Sequence, residues 1–522
     1  MDRRYFVAFL VSLLILLVYP QYLKWVGVSH SEKTTYNSPE PTLAPARPGP
    51  KEPVSAPSIH FHNNQYGVDF TTLGGNITLL SYQDVELYKS TAQGAGIFGL
   101  RILNESDDTS QIMFNAQPST GNASGQEFVY EKAGEYRLAK KYFIANDRPS
   151  FVLEVELENL SQREKNFPLE LDYGLELNMK DRRDEPKVKI VRNAAGDVHT
   201  THLAAVRKKP LVTSESLEWQ GLIEKYYALL VKPDSKLIGQ ETRLEDGRLI
   251  SSLKFPLLTL APGEKKQLAI LVYAGPEHYE TLKEFGVGFE KIFSSGTLGP
   301  LKVGLLKTLK FFYRLTRNYG VAILLLTLLI KILFTPFTHM SYQSMQKMQA
   351  LQPKIKAVQK NFQNDPTRLN KEIMELYKRN RVNPMMGCLP LVLQIPIFIS
   401  FYQVLSEAVE LRGAEFVAWI RDLSSPDRLI IFPMDLPFIG NSFNLLPLIM
   451  IGSMVWQQAL TPQTTADPTQ AKMMYLMPII FGFVFYNLPS GLVLYWIANN
   501  FLTIFHQLVI KKVPVILHHE DS

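Results

Sequence analysis

Residues 319–337 read YGVAILLLTLLIKILFTPF, an apolar run long enough to cross a bilayer. One full charge, Lys331, sits inside it, with Thr335-Pro336 close behind. An ammonium inside a span costs roughly 2.5–3.5 kcal/mol on insertion scales, so it normally faces a bundle interior or a wet cavity. At 100° per residue Thr327, Lys331, Thr335 and Thr338 share one face, and Leu, Ile and Phe fill the rest. That face needs something polar opposite it. The plainer alternative is a lysine that snorkels, since Phe337 is only about 9 Å further along the axis.

Outward from this span, size and composition limit the answer. A chain of 522 residues is too long for one domain. Its 46% hydrophobic content is ordinary, but most uninterrupted apolar runs follow residue 318. The net charge of +6 is mild, and a single cysteine, Cys388, allows neither an intrachain disulfide nor a cysteine metal cluster. Neither GxxxxGK[ST] nor a strand-borne GxGxxG occurs, so no nucleotide-driven pump is indicated.

Upstream, Asp2-Arg3-Arg4 leads into YFVAFLVSLLILLVYPQYL, which ends without a small-x-small cleavage site. We read residues 1–28 as an uncleaved anchor whose N-terminus the arginines hold in the cytoplasm. Residues 29–57 are rich in Pro, Ser, Glu and Thr and form an extended spacer. From Ser58 to about Ala274 short alternating segments follow, such as EFVYE at 127–131, FVLEVELEN at 151–159 and QLAILVYAG at 267–275. Turn signals at 146–149, 245–247 and 262–264 separate them, which points to an all-β sandwich. Glu277 to Phe293 returns to helical spacing and closes a domain over 58–295. Residues 296–318 then carry a basic stripe, Lys307, Lys310, Arg314 and Arg317, interleaved with Leu305, Leu306, Leu309, Phe312 and Tyr313. Such a helix suits the membrane interface.

Downstream of Phe337 a polar stretch to about Met385 holds nine Lys or Arg against Asp365, Glu372 and Glu375, which makes it cytoplasmic. Apolar residues recur at helical spacing on both sides of Asn364-Asp365-Pro366, so 341–382 reads as a helical hairpin. Further spans are expected at about 388–405, 443–460, 473–488 and 491–510. The loop from Glu407 to Asn441, with Trp419, is then external, and 511–522 is a short cytoplasmic tail. With the anchor this gives six spans and both termini inside.

Two kinds of face recur in these spans. Gln394, Ser453, Gln457, Tyr495, Asn499, Thr503 and His506 are polar and can meet the Lys331 stripe. Met474, Met477, Phe481 and Phe485, with Phe398 and Phe401, are greasy and suit variable apolar partners.

Three segments, GVAILLLTLLIKILFTPFTHMSYQSMQKMQALQPKI, NPMMGCLPLVLQIPIFISFYQVL and LPSGLVLYWIANN, closely resemble YidC-type membrane protein insertases over residues 300–510. The resemblance implies a polytopic α-helical membrane protein. Six transmembrane helices, five of them an insertase core over 319–510, would carry an all-β periplasmic supersandwich, as in Gram-negative inner membranes. It also implies a groove open to cytoplasm and lipid, in which a basic residue attracts polar or acidic parts of an incoming chain. Lys331 stands where many members have arginine, Thr327 matches a groove threonine, and Trp496 stands where some have tyrosine. The client's apolar segment would slide along the third and fifth spans. Implied partners are nascent membrane proteins, the Sec translocon, membrane lipids and the ribosome or targeting machinery, although the tail KKVPVILHHEDS is short and weakly basic. No cofactor, metal, covalent chemistry or nucleic-acid readout is implied. The rival class, a small-molecule or ion transporter with a charged intramembrane site, is disfavoured because no internal repeat is visible.

Overall fold

A computed structural model describes residues 56–510 except 84, 91–95, 106–107, 119–124, 178–187, 225, 246, 364, 437–439 and 463–467. The expected anchor, most of the spacer and the tail lie outside the described residues. Two compact units meet at Ser295–Gly296.

The first unit is built of antiparallel sheets. Nine strands run in the spatial order Asp197–His202, Val188–Ala194, Trp219–Glu224, Tyr227–Pro233, Lys265–Pro276, Ser150–Asn159, Tyr136–Ile144, Gly125–Lys132 and Asn115–Pro118. A five-stranded sheet (Leu211–Thr213, Gly239–Glu245, Arg248–Lys254, Leu169–Glu176, Gly99–Ile102), a four-stranded one spanning Ser58–Lys89 and a two-stranded one (Lys165–Phe167, Leu258–Leu260) accompany it. Strict alternation explains how a strand such as Ser150–Asn159 is half buried. Leu153, Val155 and Leu157 are at most 1% exposed, while Glu154, Glu156 and Glu158 point away from the core. The register sets Leu153 opposite Ile270 and Phe151 opposite Val272, so two core faces coincide. The turns read from sequence at 146–149, 245–247 and 262–264 do join consecutive strands, with Gly247 and Gly263 at φ +79° and +74°, which glycine adopts without strain.

Between the sheets the core is not wholly apolar. Gln220 on the nine-stranded sheet donates to Gln240 Oε1 at 2.6 Å and Thr242 Oγ1 at 3.1 Å on the five-stranded sheet. Ser251 Oγ returns a bond to Gln220 Oε1 at 2.9 Å. All four side chains are fully buried, and their bonds fix which strands face one another.

The second unit is helical. We number its helices α1 (Gly299–Thr316), α2 (Tyr319–Ala350), α3 (Gln352–Asn361), α4 (Pro366–Arg379), α5 (Leu389–Glu407), α6 (Leu446–Leu460), α7 (Pro468–Phe485) and α8 (Ser490–Ile510). α1 buries Leu305, Leu306 and Leu309 and exposes Lys307, Phe311, Arg314 and Leu315. Arg317, at φ +55°, ends it, and Asn318 Oδ1 caps α2 by accepting from Val321 N.

α2 is 32 residues long, about 48 Å at 1.5 Å per residue. It runs 13 residues past the span end read at Phe337, so the first arm expected for the 341–382 hairpin begins as its continuation. The hairpin's own helices are α3 and α4, whose Ile355, Ile373, Leu376 and Tyr377 meet Met348, Leu351 and Val382 in a small core. Pro336 does not break α2: Thr335 Oγ1 donates to the Lys331 carbonyl at 2.7 Å and Thr338 Oγ1 to that of Phe334 at 3.0 Å. Hydroxyls thus occupy carbonyls next to the proline gap.

Among the described residues Tyr319–Ala350, Pro384–Ser406 and Ser490–Val509 are long and apolar enough to cross a membrane. Leu446–Leu460 and Leu476–Phe485 are shorter apolar helices. α8 packs against α2, α5 and α6, and α6 also packs on α7. A Cβ on Gly482 would stand 2.2 Å from Ile451 Cδ1, so a larger residue there requires the Ile451 side chain on α6 to move.

Candidate functional site: a polar cavity among the apolar helices

α2, α5, α6 and α8 line a partly open cavity of about 320 Å³. Lys331 lines it from α2, and its Nζ donates to Thr503 Oγ1 at 2.7 Å. Thr503 in turn donates to the Asn499 carbonyl one turn back, at 2.6 Å. None of the lining residues is acidic, and among the described residues Lys331 has no carboxylate within ion-pair distance. Lys331 in this apolar bundle is thus met by a hydroxyl and by no carboxylate among the lining residues.

Of the residues expected to form a groove, Lys331, Gln394, Gln457, Trp496, Asn499 and Thr503 line this cavity, as does His506. Four do not. Thr327 is 1% exposed and its hydroxyl closes on its own helix at the Ile323 carbonyl, 2.7 Å away. Thr335 spends its hydroxyl beside Pro336. Ser453 is buried where Asn500 Nδ2 donates to it at 2.9 Å, tying α6 to α8. Tyr495 is 1% exposed and accepts from Gln394 Nε2, which joins α5 to α8 beside the cavity.

The cavity also holds polar residues that the sequence reading passed over, namely Ser341, Gln458, Thr461, Asn500 and Gln507. Asn500 and Gln507 had a signal: with Trp496, Asn499 and Thr503 they follow i, i+3, i+4, i+7, i+11 and mark the true inner face of α8. Buried atoms without a protein partner include Gln458 Nε2, Trp496 Nε1, His506 Nδ1 and Gln507 Oε1. Such atoms, in a polar space of this size, call for water or a polar ligand.

The greasy set divides as well. Phe398, Phe481, Phe485 and Trp496 form one aromatic cluster, with ring centroids 5.0–6.0 Å apart. Phe401 lies on Tyr495 at 5.0 Å. Phe401 and Phe485 are at most 1% exposed, so they pack helix to helix and do not face lipid. On the same helices it is Val392 and Ile399, and Leu476, Ile479 and Phe483, that are exposed. Met477 is half-buried, and the Met474 side chain lies outside the described residues.

A family model described as "60Kd inner membrane protein" matches residues 311–516, and one for the YidC periplasmic domain matches residues 58–307. The membrane protein insertase YidC of Geotalea daltonii is 32% identical over 492 residues, covering 90% of this chain and 89% of its own. The chain belongs to the YidC family of membrane protein insertases. YidC of Geobacter sp. strain M21 is 37% identical over 321 residues, a match spanning 61% of this chain and 57% of that relative. A crystal structure of an active YidC insertase has 20% identity and a TM-score of 0.38, covering 89% of this chain and 95% of that one, and adds nothing to the assignment. The β-sheet unit is therefore the YidC periplasmic domain and the helices are the family's membrane region.

Proposed function

We propose that this chain inserts membrane proteins into the bacterial inner membrane and helps them fold, without covalent chemistry. The observation that carries the reading is the acid-free, partly open cavity around Lys331, lined by polar side chains among apolar helices. Twelve residues separate Lys331 from Tyr319, about 18 Å of helix. If Tyr319 lies at the outer surface, the cation sits in the cytoplasmic half of the bilayer. A hydrophilic segment entering there crosses a shorter apolar distance than it would through lipid.

In this reading Lys331, with Gln394, Gln457, Asn499, Thr503 and His506, receives polar or acidic parts of the client. Its apolar segment leaves along α5 and α7, where Val392, Ile399, Leu476, Ile479 and Phe483 face outward. The aromatic cluster of Phe398, Phe481, Phe485 and Trp496 holds these helices in place. We further propose six spans with both termini cytoplasmic and the supersandwich outside. The clients are nascent membrane proteins, received alone or from the Sec translocon and the ribosome or targeting machinery.

The test is reconstitution. Proteoliposomes holding only this protein are expected to insert a short single-span protein without nucleotide and to conduct no solute. Solute flux with no insertion would favour a transporter.

A further inference from the structure

The loop between α5 and α6 folds into a hairpin over Ile430–Phe443, in which Ile430 pairs with Phe443 and Ile431 with Ser442. Its first strand reads IIFPMDL. Ile430 is 51% exposed, Ile431 66% and Met434 65%, with Leu429 just before them at 38%. Successive strand residues point to opposite faces, so Ile430 and Ile431 leave apolar surface on both sides of one ribbon. A two-stranded ribbon is at best marginal in water, and this one exposes large apolar side chains on both faces of its first strand, with the polar Asn441 exposed on its second.

This ribbon is nevertheless held rigidly at its base. Asp427, buried beneath it, accepts from Trp419 Nε1 at 2.8 Å and from the first amides of α6, Leu445 N at 2.8 Å and Leu446 N at 3.1 Å. Asn444 Oδ1 accepts from Arg428 N at 3.1 Å, and Tyr486, past the end of α7, donates its hydroxyl to the Ser442 carbonyl at 3.1 Å. The exposed apolar residues are thus fixed to the ends of two membrane helices.

α6, which starts at that base, is short for a membrane span. Fifteen residues give about 22 Å of helix, short of the roughly 30 Å of hydrocarbon in a bilayer. Phe443 is three residues before α6, whose Leu448 and Ile449 are also exposed. Arg428, two residues before the ribbon, is exposed, as is Arg421, and exposed arginines suit lipid phosphates.

We infer that the Ile430–Phe443 hairpin is a lipid-docking element, seated in the headgroup–hydrocarbon boundary beside the N-terminus of α6. A protein partner would cover one face of the ribbon; a lipid boundary accommodates both. The topology proposed above decides only which leaflet is concerned, the outer one, and the test does not depend on it.

Cysteines are placed singly at Ile431 and Met434, and at Lys209 in the β-domain as a water-exposed control, in full-length protein with Cys388→Ser. Each is labelled with an environment-sensitive fluorophore and reconstituted in vesicles of neutral and anionic phospholipid. Because positions 431 and 434 are exposed, either label can report if the other disturbs folding, as judged by thermal midpoint against the unlabelled parent. The expected result is blue-shifted emission at 431 and 434 relative to 209, quenched by lipids carrying a nitroxide near the headgroup. Emission equal to the control overturns the inference. So does a blue shift that nitroxide lipids leave unquenched, since protein would then cover the ribbon.

Discussion

The buried lysine of the β-domain offers a prediction whose size follows from its surroundings. Lys140, on Tyr136–Ile144, is fully buried, and its Nζ donates to the Gly74 carbonyl at 2.8 Å, Asn76 Oδ1 at 3.1 Å and the Phe98 carbonyl at 2.6 Å. No carboxylate is among these partners, and burial pushes its pKa well below the ordinary lysine value. An unfolded chain keeps the lysine proton up to about pH 10.4, whereas the folded domain releases it earlier. Between those two values the unfolded state binds one proton more, so stability rises with pH by up to about 1.4 kcal/mol per unit. Below the folded pKa the gain is absent. Lys140→Met keeps the chain length and removes the titration. Urea midpoints of a fragment covering 58–295, which has its own core, are compared from about pH 7 to about pH 9.5, below the tyrosine range. The wild type is expected to gain stability across this window relative to the variant. Near the alkaline end the variant is the less stable by roughly 1–3 kcal/mol, because acceptors lose their donor. A difference between the two that stays constant with pH refutes the reasoning, and means that the three oxygens hold an ordinary ammonium.

Other consequences can be checked directly. Asp427→Ala strands an indole N–H and two helix-start amides, and is expected to cost about 2–4 kcal/mol, read as a lower thermal midpoint in detergent; an unchanged midpoint contradicts the role given to that carboxylate. Reporter fusions after residues 200 and 425 are expected to read as external and those after 365 and 515 as cytoplasmic, and a cytoplasmic reading at 200 overturns the topology. Replacing Gln343–Lys378 by a short Gly/Ser link is expected to slow client insertion while the remaining helices still assemble. Unchanged kinetics would leave α3 and α4 as a topology signal alone.

Much of this architecture was readable because its signals are local. The alternation in FVLEVELEN states which half of the strand is buried, and the run around Lys331 states that an apolar helix carries a charge. What escaped depends on tertiary placement. Tyr495 and Asn499 both lie on plausible polar faces of α8, but Phe401 and Gln394 of α5 pack against the tyrosine, while the asparagine lines the cavity. Thr327 matches the stripe of Lys331 by angle, yet its hydroxyl returns to its own backbone, a choice open to any helical threonine. Phe401 and Phe485 look like lipid-facing residues by composition, and helix packing turns them inward. The end of α2 was placed at Phe337 because the apolar run stops there, whereas the helix continues through the polar residues that follow, to Ala350.

The account rests on the positive charge at 331, and insertion of matched clients measures it most directly. A charge pair about 4 Å apart at an effective dielectric near 20 is worth about 4 kcal/mol, so even partial use of it amounts to tenfold or more in rate. Single-span clients with acidic or neutral translocated tails are compared in proteoliposomes containing wild type, Lys331→Arg, Lys331→Leu or Lys331→Glu. The account predicts near-normal insertion with arginine, slower insertion of the acidic-tailed client with leucine, slowest with glutamate, and a smaller loss for the neutral tail. Equal insertion of the acidic-tailed client by wild type and by the leucine and glutamate variants would contradict it.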